Sequence, residues 1–125
     1  MNVIIKNKRL YKIISDDNSL IKTIGIELAK KVRQRCNEIE ASNNFKDYLD
    51  IGIGNPHPLV GNLDKLYGIK LNNNVRLIVE PLSAKLDDES LRKCEEVNLK
   101  GVADYHGEKC EWIIPWFSYT SWRDY

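Results

Sequence analysis

The hydrophobic repeat changes once along this chain, and that change limits what it can fold into. Apolar residues fall at Leu20, Ile24, Leu28, Val32, Cys36 and Ile39, the spacing of one helix face. Beyond residue 66 they alternate instead. Tyr67, Ile69 and Leu71 share one side of a strand; Val75, Leu77 and Val79 share one side of the next, with Arg76, Ile78 and Glu80 opposite. Helices followed by a meander of strands predict an α+β domain.

The remaining segments fit that order. Residues 2–6 read as a short strand, with Val3 and Ile5 alternating against Asn2, Ile4 and Lys6. Ser15-Asp16-Asp17-Asn18 offers caps for one long helix, in which Gly25 costs about 1 kcal/mol relative to alanine. Its basic residues, Lys22, Lys30, Lys31, Arg33 and Arg35, read as a solvated face. After Ser42-Asn43-Asn44, the spacing of Phe45, Tyr48 and Leu49 predicts a short second helix, antiparallel to the first. Gly52, Gly54, Pro56 and Pro58 make an irregular connection that stiffens the backbone around His57. Asn72-Asn73-Asn74 turns the chain between two hairpin strands, and Pro81 ends the second. The charged stretch 84–96 is an excursion with one helical turn and a mobile tip, after which the chain re-enters the sheet at Val97. Gly101 is a candidate bulge, and that bulge decides whether Asp104 and His106 face with Val97 or against it.

Composition narrows the class of function. With 125 residues, 42% apolar and 30% charged, the chain suits one globular domain with one core. A net charge of +1 argues against a broad polyanion-binding surface, so any RNA contact has to be local. No apolar run approaches the ~20 residues needed to span a bilayer, and 1–9 lacks the long apolar stretch of a secretory signal. The expectation is a cytoplasmic protein that does not engage membranes. Cys36, Cys94 and Cys110 lack close pairing and metal-ligand spacing, and read as reduced packing thiols.

Chemistry-bearing residues gather at Ala103-Asp104-Tyr105-His106-Gly107, the end of the last strand read from the sequence. One of only two histidines stands there beside a carboxylate and a phenol. The other, His57, can join it only through the fold.

With these elements in order, the chain resembles the RelE/ParE superfamily of bacterial toxins, and within it the HigB-like, plasmid maintenance killer branch. The resemblance covers residues 2–107. It rests on His57-Pro58-Leu59 followed by Gly61, on Tyr67-Gly68-Ile69-Lys70-Leu71, on Arg76-Leu77-Ile78-Val79-Glu80-Pro81, and on Val102-Ala103-Asp104-Tyr105-His106. It implies a toxin domain over 1–109: an N-terminal strand and a two-helix hairpin packed on a small, mainly antiparallel four-stranded sheet. Residues 110–125 would be an aromatic extension packed on or beside it.

In function, the resemblance implies the toxin of a type II toxin–antitoxin system. Such a toxin cleaves mRNA in the ribosome, without metal or cofactor, by attack of a ribose 2′-hydroxyl on the adjacent phosphate. The expected partners are mRNA, the ribosome and a cognate antitoxin of helix-turn-helix type. By the match, His57 and His106 are the acid–base candidates, since an imidazole can take either proton-transfer role near neutral pH. Arg76 clamps the phosphate, Asp104 orients, Tyr105 stacks or hydrogen-bonds, and Lys65 and Lys70 contact RNA. The two imidazoles are expected around a shared anion pocket. Read structurally, the same residues pair Arg76 with Glu80 or Asp104 and pack Tyr105 under the sheet.

Two departures from the family pattern point to an alternative, a non-catalytic protein of this fold: a degenerate toxin or a ParE-like gyrase-binding one. Residues 60–66, Val-Gly-Asn-Leu-Asp-Lys-Leu, stand where the family is strongly basic, and only Lys65 keeps that character. The tail holds Trp112, Trp116, Phe117, Tyr119, Trp122 and Tyr125, where family members commonly stop after Asp-Tyr-His. Interleaved aromatics can stack single-stranded RNA. With Arg123 as the only basic residue after Lys109, the favoured reading is packing across an apolar surface or a partner contact.

Overall fold

The structure, a computed structural model, describes residues 1–106 and 109–114, with the side chains of all but Asn62, His106 and Lys109. Strand β1 (Asn2–Ile4) leads into three helices, α1 (Lys8–Ile14), α2 (Asp17–Ile24) and α3 (Ile26–Ala41). Helix α1 was not expected from periodicity. The Asn7 side chain starts it by accepting from the Leu10 amide at 3.0 Å, and Leu10 and Ile14 turn inward.

The single helix expected over 20–39 is divided at Gly25. This residue has φ +89° and ψ 159°, outside helical space and strained for any side chain. It closes α2, its amide donating to the Ile21 carbonyl at 2.8 Å, and its carbonyl accepts from the Ala29 amide of α3 at 3.0 Å. The division leaves the apolar face intact: Leu20, Ala29, Val32, Cys36 and Ile39 are all buried. Of the basic residues, Arg33 pairs with Asp17 at 2.6 Å and Arg35 with Glu38 at 2.8 Å. Helix α4 (Phe45–Ile51), capped by Asn44, sets Phe45 against Tyr67 edge-on at 5.0 Å between ring centroids.

The sheet contains β2 (His57–Pro58), β3 (Tyr67–Lys70), β4 (Val75–Pro81), β5 (Glu96–His106) and β6 (Lys109–Ile114), with the short α5 (Asp88–Arg92) on the charged excursion. Strand order is β1-β5-β4-β3-β2, and β6 also pairs with β5. Strand β1 runs parallel to 96–98 and β6 antiparallel to 102–106, so the two share one edge of β5 end to end. Among the described residues the sheet therefore has six strands rather than four. Strand β2 is too short to show alternation, and β6 spans the boundary expected between residues 109 and 110. The rest of the aromatic tail, 115–125, lies outside the described residues. Among the described residues, no helix is long and apolar enough to cross a membrane.

The α+β architecture is as expected, and so is the bulge. Between β4 and β5 the register steps over Lys100, so that Ile78 faces Gly101 while Val79 faces Leu99. That extra residue shifts the alternation of everything after it. Val97, Leu99, Val102 and Asp104 consequently share one face with Val75, Leu77 and Val79. The helices cover this face to form the main core. A second step, over Ile113, lets Ile114 join that core while Trp112 lies on the other face, opposite Ala103.

Burial in this core pushes the Cys36 thiol up to about 11 from an ordinary 9.0, against the lowering effect of Arg33. The unfolded chain therefore releases this proton first, and stability falls as pH rises through that window. Denaturant midpoints measured at about pH 8 and about pH 10 should show the fall, and Cys36→Ala should reduce it. An equal fall in the variant would show that Cys36 is not its source.

Candidate functional site

The candidate site lies on the sheet face turned away from the helices. Residues directly opposite one another on paired strands project to the same side, about 5 Å apart. One such row crosses four strands as Lys70, Arg76, Ala103 and Trp112. The next contains His57, Gly68, Ile78 and Gly101. Tyr105 stands two residues beyond Ala103, opposite Cys110, and its amide donates to the Asn74 carbonyl of the β3–β4 turn at 2.9 Å.

Arg76 is half-buried, and its guanidinium is held by backbone. Nη1 donates to the Asn72 carbonyl at 2.7 Å and to the Val75 carbonyl at 3.2 Å. Glu80, considered above as its structural partner, instead accepts from Asn98 Nδ2 at 3.3 Å. Lys70 is exposed beside Arg76, and its carbonyl accepts from Arg35 Nε at 2.9 Å, tying β3 to α3. Two cations and a phenol on neighbouring positions of rigid strands form a place where an anion can be held.

The other expected members are spread more widely. His57 shares the face but sits at its edge, with Nδ1 3.0 Å from the Asn55 carbonyl. From His57 to His106 the register counts three strand spacings across and five residues along, on the order of 20 Å between backbones. At that backbone separation the register does not itself bring the two positions together. The side chain of His106 lies outside the described residues. Asp104 is on the opposite face, with Val75 and Val102, because the step at Lys100 turned it there. Lys65 is exposed at the far end, in a groove of about 260 Å³ that it shares with Asp64, Glu80 and Lys85, and so does not join Lys70.

The apolar substitutions in 60–66 have a structural role. A 3-10 turn at Gly61–Leu63 folds the segment back, and Leu59, Leu63 and Leu66 bury themselves on Ile78 and Ala103. Tyr105, Cys110 and Trp112 pack partly against this second cluster. Gly68 makes room for it, since a Cβ there would come within 3.2 Å of Leu59 Cδ2. The cluster confines the open part of the face to the Lys70, Arg76, Tyr105 and Trp112 end. Trp112 was missed as a site residue. Its signal was the alternation Lys109-Cys110-Glu111-Trp112, masked by the richer aromatic run that follows.

No family model and no curated protein matches this chain. Solved structures do. The chain is similar to a YoeB–YefM complex from Staphylococcus aureus, with a TM-score of 0.51, 18% identity, 86% of this chain and 98% of that one covered. It is similar also to a YoeB dimer from the same organism, at TM-score 0.50 and 19% identity over the same shares. A heterotetrameric YoeB–YefM toxin–antitoxin complex from that organism gives 0.50 and 18%, again over 86% and 98%. This chain has the α+β fold of those YoeB structures.

Proposed function

We propose that this chain is the toxin of a type II toxin–antitoxin system, an endoribonuclease that cuts mRNA in the ribosome, on the HigB-like branch its motifs resemble. The observation that carries the reading is the grouping of Lys70, Arg76 and Tyr105 on one open sheet face. The motif resemblance and the fold shared with YoeB, solved with its antitoxin YefM, support it. An antitoxin is accordingly the proposed protein partner, and the cytoplasm the proposed location.

In this reading the 2′-oxygen attacks the neighbouring phosphorus, its proton passes to a base, and the 5′-oxygen leaves with a proton from an acid. Arg76 and Lys70 neutralise the charge that builds on the phosphorane, and Tyr105 orients or stacks the adjacent nucleotide. His106 is the proton carrier proposed from the motif match; its position at the strand end, two residues beyond inward-facing Asp104, requires it to act from the edge of the sheet. His57 lies by Lys70, where it serves the RNA on its other side. Asp104 acts only through the strand, from behind.

Inducing the protein in bacteria and following total mRNA tests this. Transcripts should disappear with the parent chain and persist with His106→Ala. A second reading, growth arrest by protein binding alone, is favoured by the apolar cluster that occupies the usual basic segment. Arrest with intact transcripts in the parent chain would establish it and discard cleavage.

A further inference from the structure

The strand β6 adds to the candidate face something that neither the resemblance nor the Lys70–Arg76 grouping accounts for. Its alternation is broken once, by the step over Ile113, and the result is that Trp112 and Ile114 are on opposite faces although two residues apart. The pairing is continuous from Lys109 to Trp112, which sets the indole outward, and the step beyond it is what returns Ile114 to the helices' side. Trp112 thus ends the row Lys70, Arg76, Ala103, Trp112. Ala103, fully buried and small, separates guanidinium from indole by two strand spacings, about 10 Å. Tyr105 lies diagonally between them on the same side. Trp112 is half-buried, its one side packed toward the Leu59, Leu63 and Leu66 cluster. Cations at one end of a row and two aromatic rings at the other match the chemistry of single-stranded RNA, whose phosphates and bases alternate at comparable spacing.

We infer that Trp112 is a base-stacking residue: with Tyr105 it holds an unpaired nucleobase of the RNA strand whose phosphate lies at Arg76. The inference rests on the ribonuclease reading and deepens it by naming a residue that selects single-stranded, base-bearing substrate. Stacking on an aromatic tolerates any base, so Trp112 contributes affinity and placement rather than sequence choice.

The test uses a short single-stranded RNA, 2′-O-methylated so that it cannot be cut, and the same RNA made abasic at successive positions. The parent chain should bind the intact RNA about tenfold more tightly than its best abasic counterpart. Trp112→Leu should lose that preference and Trp112→Phe should recover most of it. Should the leucine variant fail to fold, as thermal melting will report, the abasic comparison on the parent chain and the phenylalanine variant still decide. Equal affinity for intact and abasic RNA, or a leucine variant that binds as the parent does, overturns the stacking role and leaves the ribonuclease reading standing. No binding to either RNA overturns the stacking role as well, and if induction also leaves transcripts intact the ribonuclease reading falls with it.

Discussion

Arg76→Ala is expected to slow transcript cleavage by about 100-fold, the usual cost of removing one donor aimed at developing charge. The side chain stands mid-sheet, flanked by Lys70 and Ala103, and its Nη1 rests on the carbonyls of Asn72 and Val75. Those acceptors fix where the guanidinium can point before any phosphate arrives. Losing them costs stability as well, about 1 kcal/mol for hydrogen bonds of this kind, too little to unfold a domain. Thermal melts of the variant should therefore stay close to the parent while transcript decay after induction slows sharply. Arg76→Lys should fall between, since an ammonium keeps the charge and lacks the planar fork. Unchanged decay in Arg76→Ala would remove this residue from the chemistry.

The largest effect on stability is expected at Gly54. Its φ of +81° is one that alanine adopts only with strain, and an added Cβ would lie 2.7 Å from Ile69 Cγ2 and 2.9 Å from Arg35 Nε. Its carbonyl also accepts from the Lys70 amide at 2.7 Å, so the segment cannot back away without giving up a sheet contact. Strained backbone and an overfilled gap together predict a loss of about 3 kcal/mol for Gly54→Ala. Denaturant midpoints would measure it. A loss near zero would mean that the connection 52–56 repacks freely and does not brace β3. Because Arg35 also bonds the Lys70 carbonyl, the same substitution should weaken RNA binding through Lys70.

How far the sequence could be read depended on how many residues carried each signal. The face from Leu20 to Ile39 and the hairpin strands around 72–74 are long repeats, and they fold where expected. The break at Gly25 was less legible because glycine within a helical pattern is tolerated as often as it terminates one. Two-residue β2 has no repeat to detect, and it pairs only because β3 presents an edge. For the site, Lys70 and Arg76 could be placed together from alternation alone. Tyr105 and Asp104 could not, since their sides of the sheet depend on one extra residue in the register, Lys100, that composition does not announce. The apolar 60–66 segment read as a loss of RNA contacts; in three dimensions it is a second small core.

The two register steps also mark where this protein can vary in length. Removing Lys100 alone would close the bulge and leave the other pairings with β4 in place, with Tyr105 still outward and Asp104 still inward. A deletion at Ile113 would likewise keep Trp112 opposite Ala103 and Ile114 opposite Val102. Homologous chains can therefore lose one residue at either step and keep both surfaces, whereas a single-residue gap elsewhere in β5 or β6 would exchange odd and even and mark a relative whose outer surface serves a different purpose.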